Sequence, residues 1–263
     1  MDRSKMSRAR WVLLNGFVLP RFDGFISNSR WTESTIPSRF LEKPRRVAYP
    51  VSGTVNASVP ARPSHEATSL TVLSLNRVVE WKGLHVLVEA VQILVDEGFR
   101  HRVNAVIAGG TFHEDEAYAA RLEHRALAEK LPISFLGHQA DVAPLLGQSD
   151  VVVSCSLVAE PFGQVVVQGL AAGRPVIVTN SGGPREMITD GENGVVVEPG
   201  DARALARALR RLAESSELRD RMGAAARRSA ERFSDERTTE ELVTSLSGLR
   251  EDIAAQQRIG RRQ

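Results

Sequence analysis

From residue 69 onward, short and continuously apolar runs alternate with amphipathic ones. Ser69 to Leu75 (SLTVLSL), Val103 to Ala108 (VNAVIA), Ile133 to Leu136, Val151 to Ser154, Pro175 to Thr179 (PVIVT) and Val195 to Val197 each predict a buried strand. Between them, Leu84, Leu87, Val88, Val91, Leu94 and Val95 recur at helical spacing, and Gly98 ends that helix. Glu114 to Leu131 is polar with apolar teeth, as in a surface helix. Asp141 caps a short helix. Gly163 to Ala172 predicts another helix, stopped by Gly173, and Pro184 starts a shorter one. The turn at 190–194 precedes the last strand, and Asp201 caps a helix running to about Ala213. Glu217 to Arg232 and Asp235 to Leu249 read as two amphipathic helices. Six apolar strands alternating with helices predict an α/β fold, a doubly wound parallel sheet covered on both faces. Ligands of such sheets lie at the carboxyl ends of the strands. The informative loops are therefore 76–83, 109–113, 137–140, 155–163 and 180–184.

The first sixty residues do not follow this rhythm. Phe22 to Ser27 predicts one strand, Thr32 to Phe40 a short helical turn region, and KPRRVAYPVSG an extended run fixed by Pro44 and Pro50. Ser52 to Ser69 has the composition of a linker. A single strand cannot make a domain, so this part reads as a fragment or appendage. The expected divisions are 1–62, 63–233 and 234–263.

Composition narrows the class. Apolar residues make up 42% and charged residues 25% of the 263, the balance of a globular protein. Thirty-four basic against thirty-two acidic residues give +2, which argues against a dedicated nucleic-acid binder. The basic clusters lie at the ends: Arg3, Lys5, Arg8 and Arg10 in front, Arg258, Arg261 and Arg262 behind. They read as solvated tails, with at most peripheral attraction to an anionic membrane. The first twenty residues imitate a signal peptide only faintly, and no run reaches the ~20 apolar residues that span a bilayer. The single cysteine, Cys155, permits no internal disulfide and fits a reducing, cytoplasmic setting. Following three valines, it reads as a buried thiol rather than a nucleophile.

Three loops carry candidate chemistry. In NRVVEWKG, Arg77 and Lys82 flank a turn that opens a helix, where an anion would meet two cations and unpaired N–H groups. Taken alone, two such cations are more often surface charges. In EPFGQVVVQ, Gly163 marks a helix start whose N–H groups suit a diphosphate. Glu160 just ahead and Gln168 within the helix are good partners for sugar hydroxyls. In SGGPRE, Gly182-Gly183 suits close backbone approach to a ligand, or a plain tight turn. The acidic stretch His113 to Glu116 reads as a solvated helix start rather than a metal site. No nucleophile elbow and no complete G-x-G-x-x-G is present.

These pieces, together with VIAGG, ISFLGH, GLAAGRPVI, SGGPREM and ERFSDER, resemble the carboxyl-terminal domain of the retaining GT-B glycosyltransferases of family 4, the glycosyl transferases group 1 domain. The resemblance runs from Leu70 to about Leu249. It implies a Rossmann-like domain that binds a UDP-, GDP- or ADP-sugar as substrate, without a metal cofactor. Arg77 and Lys82 would hold the donor diphosphate and stabilise the leaving nucleotide. Glu160 would bond the donor sugar, and Pro161, Phe162, Gly163, Gln164 and Val165 would line sugar and phosphate. Gln168 stands where the family often has a second Glu gripping the ribose, so that contact would lack charge assistance. Gly137 and His138 would lie near the base, and Gly83, Gly109, Gly182 and Gly183 near the donor. FDGFISNSRWT and KPRRVAYPVS resemble the end of the amino-terminal acceptor domain and the interdomain linker, and the helix from Asp235 a crossover that packs back on it. No catalytic His is assigned: His65 and His85 match no motif. An apolar surface around Phe17, Leu19, Phe25 and Ile26 would invite self-association or a partner carrying the amino-terminal half. The rival expectations are an inactive nucleotide-sugar-binding module, a subunit of a split enzyme, and a sugar-nucleotide epimerase.

Overall fold

The computed structural model describes residues 7–53 and 69–260. Most of the linker, His65 and the outermost basic residues, Arg3, Lys5, Arg261 and Arg262, lie outside the described residues. The chain forms two compact units, one of residues up to Val51 with those from Asp235 onward, the other Ser52–Ser234.

The smaller unit begins with α1 (Arg8–Leu13), which runs on as a π-helical turn over Leu14–Val18. Strand β1 (Phe25–Ser27), helix α2 (Arg30–Ser34) and strand β2 (Arg45–Val47) follow. Ser29 caps α2, its hydroxyl accepting from Thr32 N–H at 3.0 Å. β1 and β2 pair in parallel, Phe25 opposite Arg45. The sequence predicted one strand over 22–27 and none in the KPRR run. Three-residue strands are too short to show a period, and β2 is half-buried along its length.

The larger unit contains the predicted sheet. Its strands are β3 (Leu70–Leu75), β4 (Val103–Ala108), β5 (Ile133–Gly137), β6 (Val151–Ser154), β7 (Val176–Thr179) and β8 (Gly194–Val197). All neighbours are parallel, in the order β5-β4-β3-β6-β7-β8. The chain builds outward from β3 in one direction, returns, and builds outward from β6 in the other. The reversal falls between β3 and β6, where Val72 faces Val151 and Leu73 faces Val152.

Six helices cover this sheet: α3 (Leu84–Asp96), α4 (Glu116–Ala128), α5 (Ala143–Gln148), α6 (Gln164–Ala171), α7 (Ala202–Glu214) and α8 (Ser216–Ala230). The strand period of two divides the apolar residues between the faces. Leu70, Val72, Ala105, Ile107, Val151 and Val153 join one core with Leu84, Leu87, Val91 and Leu94 of α3 and Leu205, Leu209 and Leu212 of α7. Val152 and Val176 face the other way, and a Cβ built on Gly169 of α6 would lie 3.1 and 2.9 Å from them. Asp201 accepts from Ala204 N–H at 2.7 Å, the predicted cap of α7. The final helix, α9 (Asp235–Gly260), runs about eleven residues past the predicted end at Leu249 and belongs to the smaller unit. There Ser245 reaches Val47 O and Gln256 reaches Glu42 O, at 3.4 and 2.9 Å.

Candidate functional site

The reversal of strand order leaves a cleft at the carboxyl ends of β3 and β6. Its volume is about 230 Å³, lined by Leu75, Asn76, Arg77, Trp81, Lys82, Glu160, Gln164 and Val165. Two loops that are 78 residues apart in sequence supply its charged side chains, because the strands they follow are neighbours in space.

The loop after β3 turns through a 3-10 segment, Glu80–Lys82, into α3. Gly83 at that junction has φ +68°, and a Cβ there would lie 2.1 Å from Cys155 O. Only glycine lets the lysine loop close onto the end of β6. Leu157 N–H donates to Trp81 O at 2.8 Å, tying the two loops together. Cys155 is buried beneath this junction, its sulfur 3.2 Å from Gly83 O, and burial pushes the thiol up to about 12. Such a thiol is inert as a nucleophile.

Lys82 and Glu160 meet directly. Lys82 Nζ donates to Glu160 Oε2 at 2.6 Å, with both side chains about nine-tenths buried (11% and 10% exposed). The ammonium also lies 4.6 Å from the Trp81 ring centroid. The other carboxylate oxygen, Oε1, accepts from the buried Ser156 hydroxyl. Ser156 is held in turn by Thr179 at the end of β7, whose Oγ1 donates to Ser156 O at 2.9 Å. Nothing in its sequence context singles out Ser156; a serine four residues before Glu160 acquires meaning only once the loop is folded.

Arg77 is differently placed. It is exposed, and its guanidinium stacks on the Phe112 ring, 4.8 Å from the centroid. Phe112 belongs to the loop after β4 and is itself 54% exposed. The cleft therefore has one cation committed to a carboxylate and one resting on an aromatic face. The amino terminus of α6 closes the cleft with Gln164 and Val165, whose N–H groups belong to the unpaired first turn. The Gln164 amide donates to Ser52 O at 2.7 Å.

Of the residues expected to form the site, Arg77, Lys82, Glu160, Gln164 and Val165 line the cleft. Gly83, Pro161, Phe162 and Gly163 adjoin the lining residues in sequence but are not part of the lining. Gly163 is the N-cap of α6, and Phe162 is buried edge-on against Phe233, ring centroids 6.3 Å apart. Gly109 ends β4, its N–H donating to Gly137 O at 2.8 Å. Gly137 and His138 are exposed at the tip of β5, apart from the cleft lining. Gln168 is half-buried one turn further along α6.

Gly182-Gly183 makes its close approach to the Glu160 backbone. Gly182 has φ +75°, and its Cβ would lie 2.5 Å from Glu160 O; Gly183 N–H donates to that oxygen at 2.8 Å. The glycines let the loop after β7 press against the Glu160 backbone. They fix the backbone of Glu160 from the β7 side. His113 Nδ1 lies 3.1 Å from Glu116 Oε1, both exposed, and among the described residues no group of three or more His, Cys, Asp or Glu could hold a metal ion. In the smaller unit, Phe17 is exposed as expected, whereas Leu19, Phe25 and Ile26 are half-buried; Val12, Leu13, Val18 and Phe22 extend the exposed apolar rim. Among the described residues no helix is long and apolar enough to cross a membrane.

Comparison with known proteins follows the same lines. The putative glycosyltransferase EpsD of Bacillus subtilis is 41% identical over 132 residues, 48% of this chain and 34% of EpsD. The lipopolysaccharide core biosynthesis glycosyltransferase LpsE of Rhizobium meliloti is 34% identical over 171 residues, 65% of this chain and 47% of LpsE. The chain thus spans less than half the length of these curated relatives. Among solved structures, HepE of Anabaena in complex with UDP and glucose superposes with a TM-score of 0.80 at 23% identity, over 94% of this chain and 68% of HepE. The C-terminal domain of LpcC, a glycosyl transferase group 1 family protein of Francisella tularensis, gives 0.59 at 24%, over 66% of this chain and 94% of that domain. At these identities the structural likeness is one of fold, the GT-B type. The profile of the family described as glycosyl transferases group 1 matches residues 59–229. That stretch is well over half of the chain and contains both loops that close the cleft, so the chain belongs to the glycosyl transferases group 1 family.

Proposed function

We propose that the larger unit binds a nucleoside-diphosphate sugar and forms the donor side of a glycosyltransferase that retains anomeric configuration. The observation that carries this reading is the convergence of Arg77, Lys82, Glu160 and the α6 terminus on one cleft. In this reading the diphosphate lies between the two cations and the N–H groups of Gln164 and Val165. Charge develops on the leaving nucleotide as the glycosidic bond breaks, and preorganised donors aimed at it lower the barrier. The two side-chain cations do the work that a divalent ion does elsewhere, so no metal is required. Glu160 hydrogen-bonds hydroxyls of the donor sugar, and Gln168 reaches the ribose. Gly137 and His138 lie on the base side. That HepE was solved with UDP and glucose supports the class of ligand and makes UDP the first nucleotide to try. Acceptor binding belongs to the smaller unit together with polypeptide corresponding to the relatives' remaining length. The protein works where nucleotide sugars are made, in the cytoplasm.

The test is calorimetric titration with UDP, GDP and ADP, beside an Arg77→Ala/Lys82→Ala variant. Saturable binding of one nucleotide, lost in the variant, is the expected result and identifies the base. A folded chain that binds none of the three overturns the reading. A second reading, a nucleotide-sugar-binding module that acts with a partner, draws on the exposed apolar rim of the smaller unit. It expects nucleotide binding without turnover by the chain alone.

A further inference from the structure

Lys82 cannot serve a bound anion and Glu160 at full strength together. Its ammonium is taken by a nearly buried carboxylate at 2.6 Å, and the pair lies in the wall of the cleft that would receive the phosphates. Drawing the lysine toward a diphosphate leaves Glu160 charged in a place with little water. A buried carboxylate without a donor is strongly disfavoured. Glu160 does have a second donor, the hydroxyl of Ser156 on Oε1. That hydroxyl does not move with the lysine. Ser156 is buried, fixed by Thr179, and the backbone of Glu160 is gripped by Gly183 N–H at 2.8 Å.

We propose that Ser156 is a positioning residue that makes the Lys82–Glu160 pair separable, so that a diphosphate can take the lysine while the carboxylate stays in place to meet the sugar. This rests on the donor-site reading above. The two partners of the carboxylate then have opposite effects. Glu160 competes with the anion for Lys82, so Glu160→Gln binds inorganic pyrophosphate about tenfold more tightly, one like charge having left the cleft. Ser156 lowers the cost of releasing Lys82, so Ser156→Ala binds pyrophosphate about tenfold more weakly, as loss of a hydrogen bond to a charged group requires. Ser156→Thr keeps the hydroxyl and restores wild-type affinity. In a Glu160→Gln background no carboxylate remains to be stranded, so Ser156→Ala has little further effect there.

Two measurements test this on the full chain. The first is competitive acylation of the lysine amines, of which the sequence has only four: Lys5, Lys43, Lys82 and Lys130. Without any ligand, Lys82 is expected to react several-fold more slowly than the exposed Lys130, and to speed up in Glu160→Gln. The second is titration of wild type, the three single variants and the Ser156→Ala/Glu160→Gln double variant with pyrophosphate and with UDP. Equal labelling of Lys82 and Lys130 in the wild type overturns the lock even where nucleotide binds. A protected Lys82 in a chain that binds neither ligand overturns the donor-site reading, and the coupling with it. If Ser156→Ala weakens binding by the same factor with and without Glu160, or if Ser156→Thr fails to restore it, Ser156 acts on the fold rather than through the carboxylate, and the proposal is wrong.

Discussion

Replacing Lys82 by methionine removes the charge but keeps the length of the side chain, and its cost can be worked from the site. Glu160 is left with one donor, Ser156, and no counter-charge. Breaking a fully buried ion pair from one side costs about 3–5 kcal/mol, most of it from the stranded charge. Here about a tenth of each side chain reaches solvent and the serine remains. The expected loss is therefore nearer about 2–3 kcal/mol. For a unit of this size that lowers the unfolding midpoint by about 5–10 °C. Adding Glu160→Gln removes the stranded charge, and the double variant should return to within about 1 kcal/mol of wild type. Calorimetric unfolding of the four proteins gives the coupling directly. If Lys82→Met moves the midpoint by less than about 1 °C, and Glu160→Gln restores nothing, the pair is worth no more than a surface salt bridge. The site geometry would then be wrong.

Three further outcomes follow from the same structure. Gly83→Ala should cost more than about 3 kcal/mol, because its Cβ meets Cys155 O at 2.1 Å at φ +68°, whereas Gly137→Ala, at φ +64° with nothing within 4 Å, should cost only about 1–2 kcal/mol; urea midpoints for both would decide. Phe112→Ala removes the ring under Arg77 and should weaken nucleotide binding about two- to threefold without altering stability, the worth of an exposed cation–π contact; an unchanged affinity on titration would show that the stacking does not position Arg77. Cys155, its thiol held up to about 12 by burial, should resist a thiol reagent at pH 8 in the native protein and react on unfolding. Because the folded value lies above the ordinary one, its contribution to stability is present at neutral pH and is lost as pH rises toward 12; a melting temperature flat from pH 9 to 12 would contradict the burial.

The architecture of the larger unit was legible because its central strands β3, β6 and β7 are buried on both faces and so read as unbroken apolar runs, whereas the edge strand β5 is partly exposed. The helix caps at Asp201 and Gly163 were legible because they depend on one residue and its neighbours along the chain. The smaller unit was less so. Its strands have three residues each, and the π-helical turn at Leu14–Val18 has no period of its own to display.

The candidate site divides in the same way. Arg77, Lys82 and Glu160 were identifiable by residue type and by their place after strands, since a parallel sheet exposes those loops at one edge. That Lys82 and Glu160 grip one another was not identifiable. It depends on β3 and β6 lying side by side, and strand order is decided by how whole faces of helices and strands bury together, not by any local pattern. The same holds for Ser156 under the carboxylate, Phe112 under the arginine, and the two glycines pressed on the Glu160 backbone. Sequence by itself determined which groups could do chemistry here; only the folded packing decided which of them touch, because contacts between loops are set by the strands that carry them.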